Sequence, residues 1–189
     1  MTELEAVNVL LTTIGEAPIN TLSGNHVTDV TIARQVLTEV SREVQSQGWH
    51  FNTETDVKLV PDQFGNINVP VDTARIDSDE EDITVRGSRV FDLVNRTYKF
   101  DNNLTVTIVY FVDFADLPDT AKKYIATRAA RIFSDRMTNS ETIHRMLARD
   151  EATALADFKA FEGDTGDHNM MDSYSVARVL NRGHKRILM

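Results

Sequence analysis

The stretch from Ser41 to Glu54, which holds the chain's single tryptophan, changes its repeat in the space of one residue. Upstream, Ala33, Val36, Leu37, Val40 and Val44 recur at the spacing of a helix that buries one narrow stripe. Arg34, Glu39, Arg42 and Glu43 occupy the opposite face. Downstream, from Trp49 to about Phe114, apolar and polar residues alternate with the period of a strand. Gly48 stands between the two patterns, and glycine suits the residue just past a helix end because it reaches left-handed dihedrals with no Cβ penalty. Helices and strands are therefore expected in separate layers rather than in βαβ alternation.

The flanking segments extend this reading. Leu4, Val7, Leu10, Leu11 and Ile14 predict a first helix over Leu4 to Ile14, with Thr2 as cap, Glu5 at capping-box spacing and Gly15 at its end. Ala17 to His26 reads as a loop, and Thr28 or Asp29 caps a second helix that runs to Gln47. A strand over Val57 and Leu59 and another over Ile67, Val69 and Val71 flank turn chemistry at Asp62 to Asn66. Shorter strands at Ile83–Val85 and Val90–Leu93 surround Gly87. Leu104, Val106, Ile108 and Tyr110 form the clearest strand. Sequential hairpins make the pairing antiparallel, since no crossover helix fits between these segments.

Pro118 suits the first turn of a third helix, whose apolar side is Tyr124, Ile125, Ala129, Ile132, Phe133 and Met137. Ala126, Ala129 and Ala130 leave room for another helix to approach. Ser140 caps a fourth helix to about Phe161, with Ile143, Leu147, Ala154, Phe158 and Phe161 inward and Gly163 and Gly166 ending it. The expected fold is α+β: a four-helix bundle with a small antiparallel β domain inserted between helices 2 and 3, and an extended C-terminal arm. The boundaries are 1–48 and 115–162 for the bundle, 49–114 for the insertion and 163–189 for the arm.

Charge narrows the function. The chain has 189 residues and a net charge of −9, which argues against gripping nucleic acid along its phosphates. Residues 178–189 carry Arg178, Arg182, Lys185 and Arg186 and no acid, so the −9 chain holds −13 on its other 177 residues. A basic tail on an acidic body suits docking on an acidic surface, including that of a neighbouring copy; the alternative is a solvated terminus. There are no cysteines, hence no disulfide, thiol nucleophile or Cys-ligated zinc. The acidic start, Met1 to Glu5, predicts no secretory signal, and the lack of a long apolar run predicts no membrane contact. Synthesis in a reducing cytoplasm is expected.

No catalytic motif stands out. Glu141 and His144 have the Glu-x-x-His spacing of di-iron bundles, but the pair occurs once, and such sites need two pairs with two further carboxylates. A surface helix pair is the better reading. The run Asp77 to Asp82 supplies oxygen ligands of the kind calcium takes, yet it lacks the glycine and spaced glutamate of an EF-hand loop, and a solvated turn suits it better. Glu162, Asp164, Asp167 and His168 flank two glycines after a helix end, where polar residues need no special reason. No metal or cofactor is expected. Trp49 and Phe51 alternate with His50, so both should face one side of a strand. Packing of the junction is preferred for them over an exposed anchor for a partner.

Several ordered motifs carry a resemblance. They are Ala6-Val7-Asn8 through Ile14-Gly15-Glu16-Ala17-Pro18, Ser41-Arg42-Glu43-Val44-Gln45 through Gly48-Trp49-His50-Phe51-Asn52-Thr53, and Pro61-Asp62 through Val69-Pro70. Arg89-Val90-Phe91-Asp92-Leu93, Asp116-Leu117-Pro118 through Tyr124-Ile125, and Arg128-Ala129-Ala130-Arg131-Ile132-Phe133 complete the set. In this order, over most of residues 4–160, they resemble the tail tubular protein A family, the head-to-tail adaptors of short-tailed bacteriophages.

The resemblance implies a structural virion protein of the tail, made in the host bacterial cytoplasm, with no enzymatic activity. It implies a dodecameric ring between the portal protein and the tail nozzle protein (tail tubular protein B). Double-stranded DNA crosses such a ring on ejection without specific binding. The basic residues Arg178, Arg182, Lys185 and Arg186, with Trp49 and Phe51, are the candidate interface. Two other classes compete. A cell-wall glycan hydrolase carried in the tail would need a cleft with two suitably spaced carboxylates. A monomeric regulatory module would show itself by its mass in solution.

Overall fold

A computed structural model describes residues 1–23 and 28–166. Its helices are α1 (Glu3–Thr13), α2 (Thr28–Gln45), α3 (Asp119–Thr138) and α4 (Glu141–Thr165). The strands are β1 (Thr53–Leu59), β2 (Thr73–Asp77), β3 (Ile83–Arg86), β4 (Arg89–Asp92) and β5 (Leu104–Tyr110), all between α2 and α3 in chain order. The chain is thus α+β, with four helices and small antiparallel sheets among the described residues.

Local chemistry sets the helix ends. The Thr2 hydroxyl accepts from the Glu5 N–H and the Glu5 carboxylate accepts from the Thr2 N–H, closing the capping box that starts α1. Pro118 occupies the N-cap position of α3, where its carbonyl accepts from the Lys122 N–H, Asn139 adopts the left-handed conformation at the helix end, and the Ser140 hydroxyl accepts from the Ile143 N–H to start α4. Gly163 does not stop α4. The helix runs through it to Thr165, because a single glycine weakens a helix by only about 1 kcal/mol.

The central helix is α3, which packs against α1, α2 and α4. Ala121, Ala126, Ala129 and Ala130 are fully buried there, and their small side chains admit the close approach. Outward from that contact, Met137 and Phe161 are exposed rather than inward as the periodicity predicts. Ion pairs lace the same helices. Arg128 of α3 bridges Glu43 of α2 and the buried Glu151 of α4, and Arg131 also binds Glu151. Burial works to lower the Arg128 pKa, but its hydrogen bonds to Glu43 and Glu151 outweigh this and hold it above the ordinary value. Arg136 grips Glu39 of α2 through two bonds of 3.0 and 3.1 Å.

The strands depart from sequential hairpins. β5, the last in the chain, sits at the centre of the order β1-β5-β2, antiparallel to both neighbours. Only β3 and β4 form the expected local hairpin around Gly87. Strand β2 lies where the sequence offers only Ile76 as a buried apolar residue, so its pattern is too short to mark it. The strand expected over Ile67 to Val71 is instead an irregular segment held by isolated bridges at Asn66 and Asn68. Ile67 is buried, but Val71 is 84% exposed, so the alternation there does not follow one face.

The apolar side chains gather into two clusters. One lies among the helices and takes in Trp49 and Phe51 at its margin. The other lies in the β region, around Ile67, Val90, Leu104, Val106 and Ile108.

Candidate interface at the helix–strand junction

After α2 ends, Gly48 turns the chain at φ +80°, a conformation open to glycine. A Cβ there would come within 3.1 Å of both Arg75 Nη2 and Val109 Cγ2. The chain does not then enter a strand, as the alternation of Trp49, His50 and Phe51 predicts. Residues His50–Asn52 form one 3-10 turn and β1 begins at Thr53. The cause is Asn52: its side-chain oxygen accepts from the Trp49 N–H at 2.9 Å, closing a local ring that competes with extended backbone.

Both aromatic rings nevertheless reach one partner. The Trp49 ring centre lies 4.4 Å from that of Phe158 on α4, and Phe51 lies 6.2 Å from it. Tyr124 of α3 stacks on Phe158 as well, at 5.8 Å. Trp49 Nε1 donates to the Val44 carbonyl at 2.7 Å, so the indole's one polar atom is satisfied within α2. Trp49 and Phe51 are half-buried against the helical core.

A polar staple beneath them was not visible in the sequence. Gln45 is buried; its amide donates to Ser41 Oγ and to the Val112 carbonyl, and its oxygen accepts from the Val112 N–H at 2.7 Å. The Asn52 amide donates to the carbonyls of Gln45 at 3.0 Å and Tyr110 at 2.7 Å. The end of α2, the turn and the end of β5 are therefore tied by two buried amides. The available signal was that Ser41 and Gln45 follow Leu37 of the apolar stripe at four-residue spacing. Glu162 of α4 completes the junction: it is 7% exposed, and one oxygen accepts the His50 N–H at 2.6 Å.

Beside the staple, a groove of about 260 Å³ opens between α2 and the end of β5. Leu37, Phe111, Val112 and Phe114 line it together with the polar Thr38, Ser41, Arg42 and Gln45, and the carboxylates of Glu3, Asp72 and Asp113 complete the lining. The Arg42 guanidinium lies 3.8 Å above the Phe111 ring.

The remaining candidates fall elsewhere. His144 pairs with Asp135 of α3, 2.9 Å from each carboxylate oxygen, and not with Glu141. The surface pair expected between Glu141 and His144 is thereby replaced by a hydrogen bond across the α3–α4 turn. Asp77 ends β2, and Ser78 to Asp82 connect it to β3, with Ser78 Oγ donating to the Thr105 carbonyl. Among the described residues, no group of three or more His, Asp or Glu side chains is arranged to hold a metal ion. Asp167, His168, Arg178, Arg182, Lys185 and Arg186 lie outside the described residues. No described helix is long and apolar enough to cross a membrane.

Two comparisons with known proteins cover most of this frame. A family model described as tail tubular protein matches residues 4–168. Tail tubular protein A of Klebsiella phage KP34 is 29% identical over 128 residues, covering 67% of this chain and 68% of that protein.

Proposed function

Because the chain belongs to the tail tubular protein family, and so is a structural component of bacteriophage tails, we propose that it is the adaptor joining head to tail. In this reading it closes into a dodecameric ring between the portal protein and the nozzle protein, tail tubular protein B. Double-stranded DNA crosses the lumen on ejection, and the chain performs no chemistry of its own. The observation that carries the reading is the family match, which spans the helices and the β region together.

The physics is consistent with it. A net charge of −9 suits a channel that repels the DNA backbone, because each cationic contact would add affinity and slow sliding. The helical segments 1–48 and 115–162 act as one bundle that forms the ring body. Residues 49–114 are the inserted β domain, facing a tail partner, and 163–189 form the arm. The basic residues Arg178, Arg182, Lys185 and Arg186 dock on an acidic surface of a neighbour or of the portal. The chain is made in the host cytoplasm and carried in the virion tail.

The adaptor role is tested by a phage whose copy of this gene carries an early stop codon. The reading requires heads that package DNA, bear no nozzle and then lose the genome. Complete tails on those particles would exclude it.

A further inference from the structure

Two features at opposite ends of the β region complement one another. The first is a knob. Phe64 is 68% exposed at the tip of the turn after β1, and Val60, four residues earlier, is 67% exposed. The turn is held stiffly: the Asp62 carboxylate accepts from the N–H groups of Phe64 and Asn66 at 2.8 and 2.9 Å. The Gly65 N–H donates to the Asp62 carbonyl, and the Phe100 N–H donates to the Gly65 carbonyl. A large aromatic ring on a stiff turn loses little freedom when it docks. Basic side chains flank it. The Lys99 Cβ lies beside Gly65, and Arg89 donates to the Asn66 side chain.

The second feature is the groove beside the junction, lined by Leu37, Phe111 and Phe114, with Arg42 covering one face of the Phe111 ring and the exposed Asp72 and Asp113 giving the lining more acid than base. Its 260 Å³ has room for an aromatic ring, since a dry cavity of about 150 Å³ holds benzene. Knob and groove cannot meet within one chain. Leu59, just before the knob, pairs with Leu104 at the start of β5, whereas the groove lies past Tyr110 at its end. Seven strand residues separate the two by roughly 20 Å.

We propose that Phe64 of one copy inserts into the Leu37–Phe111–Phe114 groove of a second copy, with Lys99 and Arg89 meeting the acidic lining. Different patches then meet at each contact, which is the head-to-tail interface that rotation closes into a ring. The inference rests on the ring reading above and adds its contact residues.

The chain has no cysteine, so introduced ones report cleanly. Gln63→Cys beside the knob and Thr38→Cys beside the groove should form a disulfide-linked dimer when the two variants are mixed, and neither should do so alone. Phe64→Ala should weaken self-association by at least about tenfold in sedimentation experiments. The same samples, alone and with portal protein, are imaged for rings. Rings without the mixed disulfide, or Phe64→Ala rings that form normally, overturn the knob contact and leave the ring standing. The mixed disulfide without rings supports the contact and contradicts closure. Neither disulfide nor rings overturns both. If Phe64→Ala rings form but fail to bind nozzle protein, Phe64 belongs to that partner and the proposal fails.

Discussion

The His50 backbone N–H donates to Glu162 Oε2 at 2.6 Å, joining positions 112 residues apart. This bond ties the last turns of α4 to the turn that leads into the β region. Its other oxygen is buried with no hydrogen-bond partner among the described residues. The carboxylate therefore serves as an acceptor at the junction, at the cost of one unsatisfied lone-pair site.

Removing that acceptor should be costly. Glu162→Ala leaves the His50 N–H unpaired and should destabilise the chain by about 1–2 kcal/mol in urea unfolding. Glu162→Gln keeps an acceptor oxygen and should lose less. Equal losses in the two variants would show that the bond contributes nothing.

Gly48→Ala tests the turn itself. The new residue must hold φ near +80°, which costs an L-residue about 1–2 kcal/mol. Its methyl also presses on Val109, so a lower thermal midpoint than wild type is expected. An unchanged midpoint would mean the backbone turns some other way.

Phe158 supports the single tryptophan. It is fully buried among Trp49, Phe51 and Tyr124, and Phe158→Ala should cost about 3–5 kcal/mol. Trp49 is the only indole, so its emission reports the site directly. A red shift in the variant is expected, as water reaches the ring. Emission like that of wild type would show that Trp49 does not depend on Phe158.

Acid should loosen the β region. Asp62 and Asp92 both sit below the ordinary carboxylate range, Asp62 chiefly through the Asn66 N–H and Asp92 chiefly through the Asn95 N–H. Groups lowered in the native state bind fewer protons there than in the unfolded chain. Their contribution is present above the unfolded value of about 3.9 and is lost as pH falls through the lower native values. The thermal midpoint should therefore fall below about pH 4, and Asp92→Asn should flatten that fall while lowering the midpoint at pH 7. A variant with the wild-type acid slope would remove Asp92 from the explanation.

Signals confined to one turn or one helix were legible in the sequence. The Thr2–Glu5 capping box, Gly48 and Ser140 stand where their chemistry predicts, and Pro118 lies one residue ahead of the turn expected for it, because each acts on its own neighbours. Features decided by distant partners were not. Trp49 to Phe51 alternate like a strand, but the Asn52 side chain folds them into a turn. Strand β5 is central because β1 and β2 choose it over nearer partners, a choice no local period records. Gln45, Asn52 and Glu162 are polar residues buried by what they bond, and composition alone assigns such residues to the surface.

The most direct measurement of the central claim is electron microscopy of the purified protein mixed with the portal protein of its own virus. Closed twelve-fold rings seated coaxially on the portal are expected. Portals that carry no added density at saturating protein, or density without rotational symmetry, would contradict it.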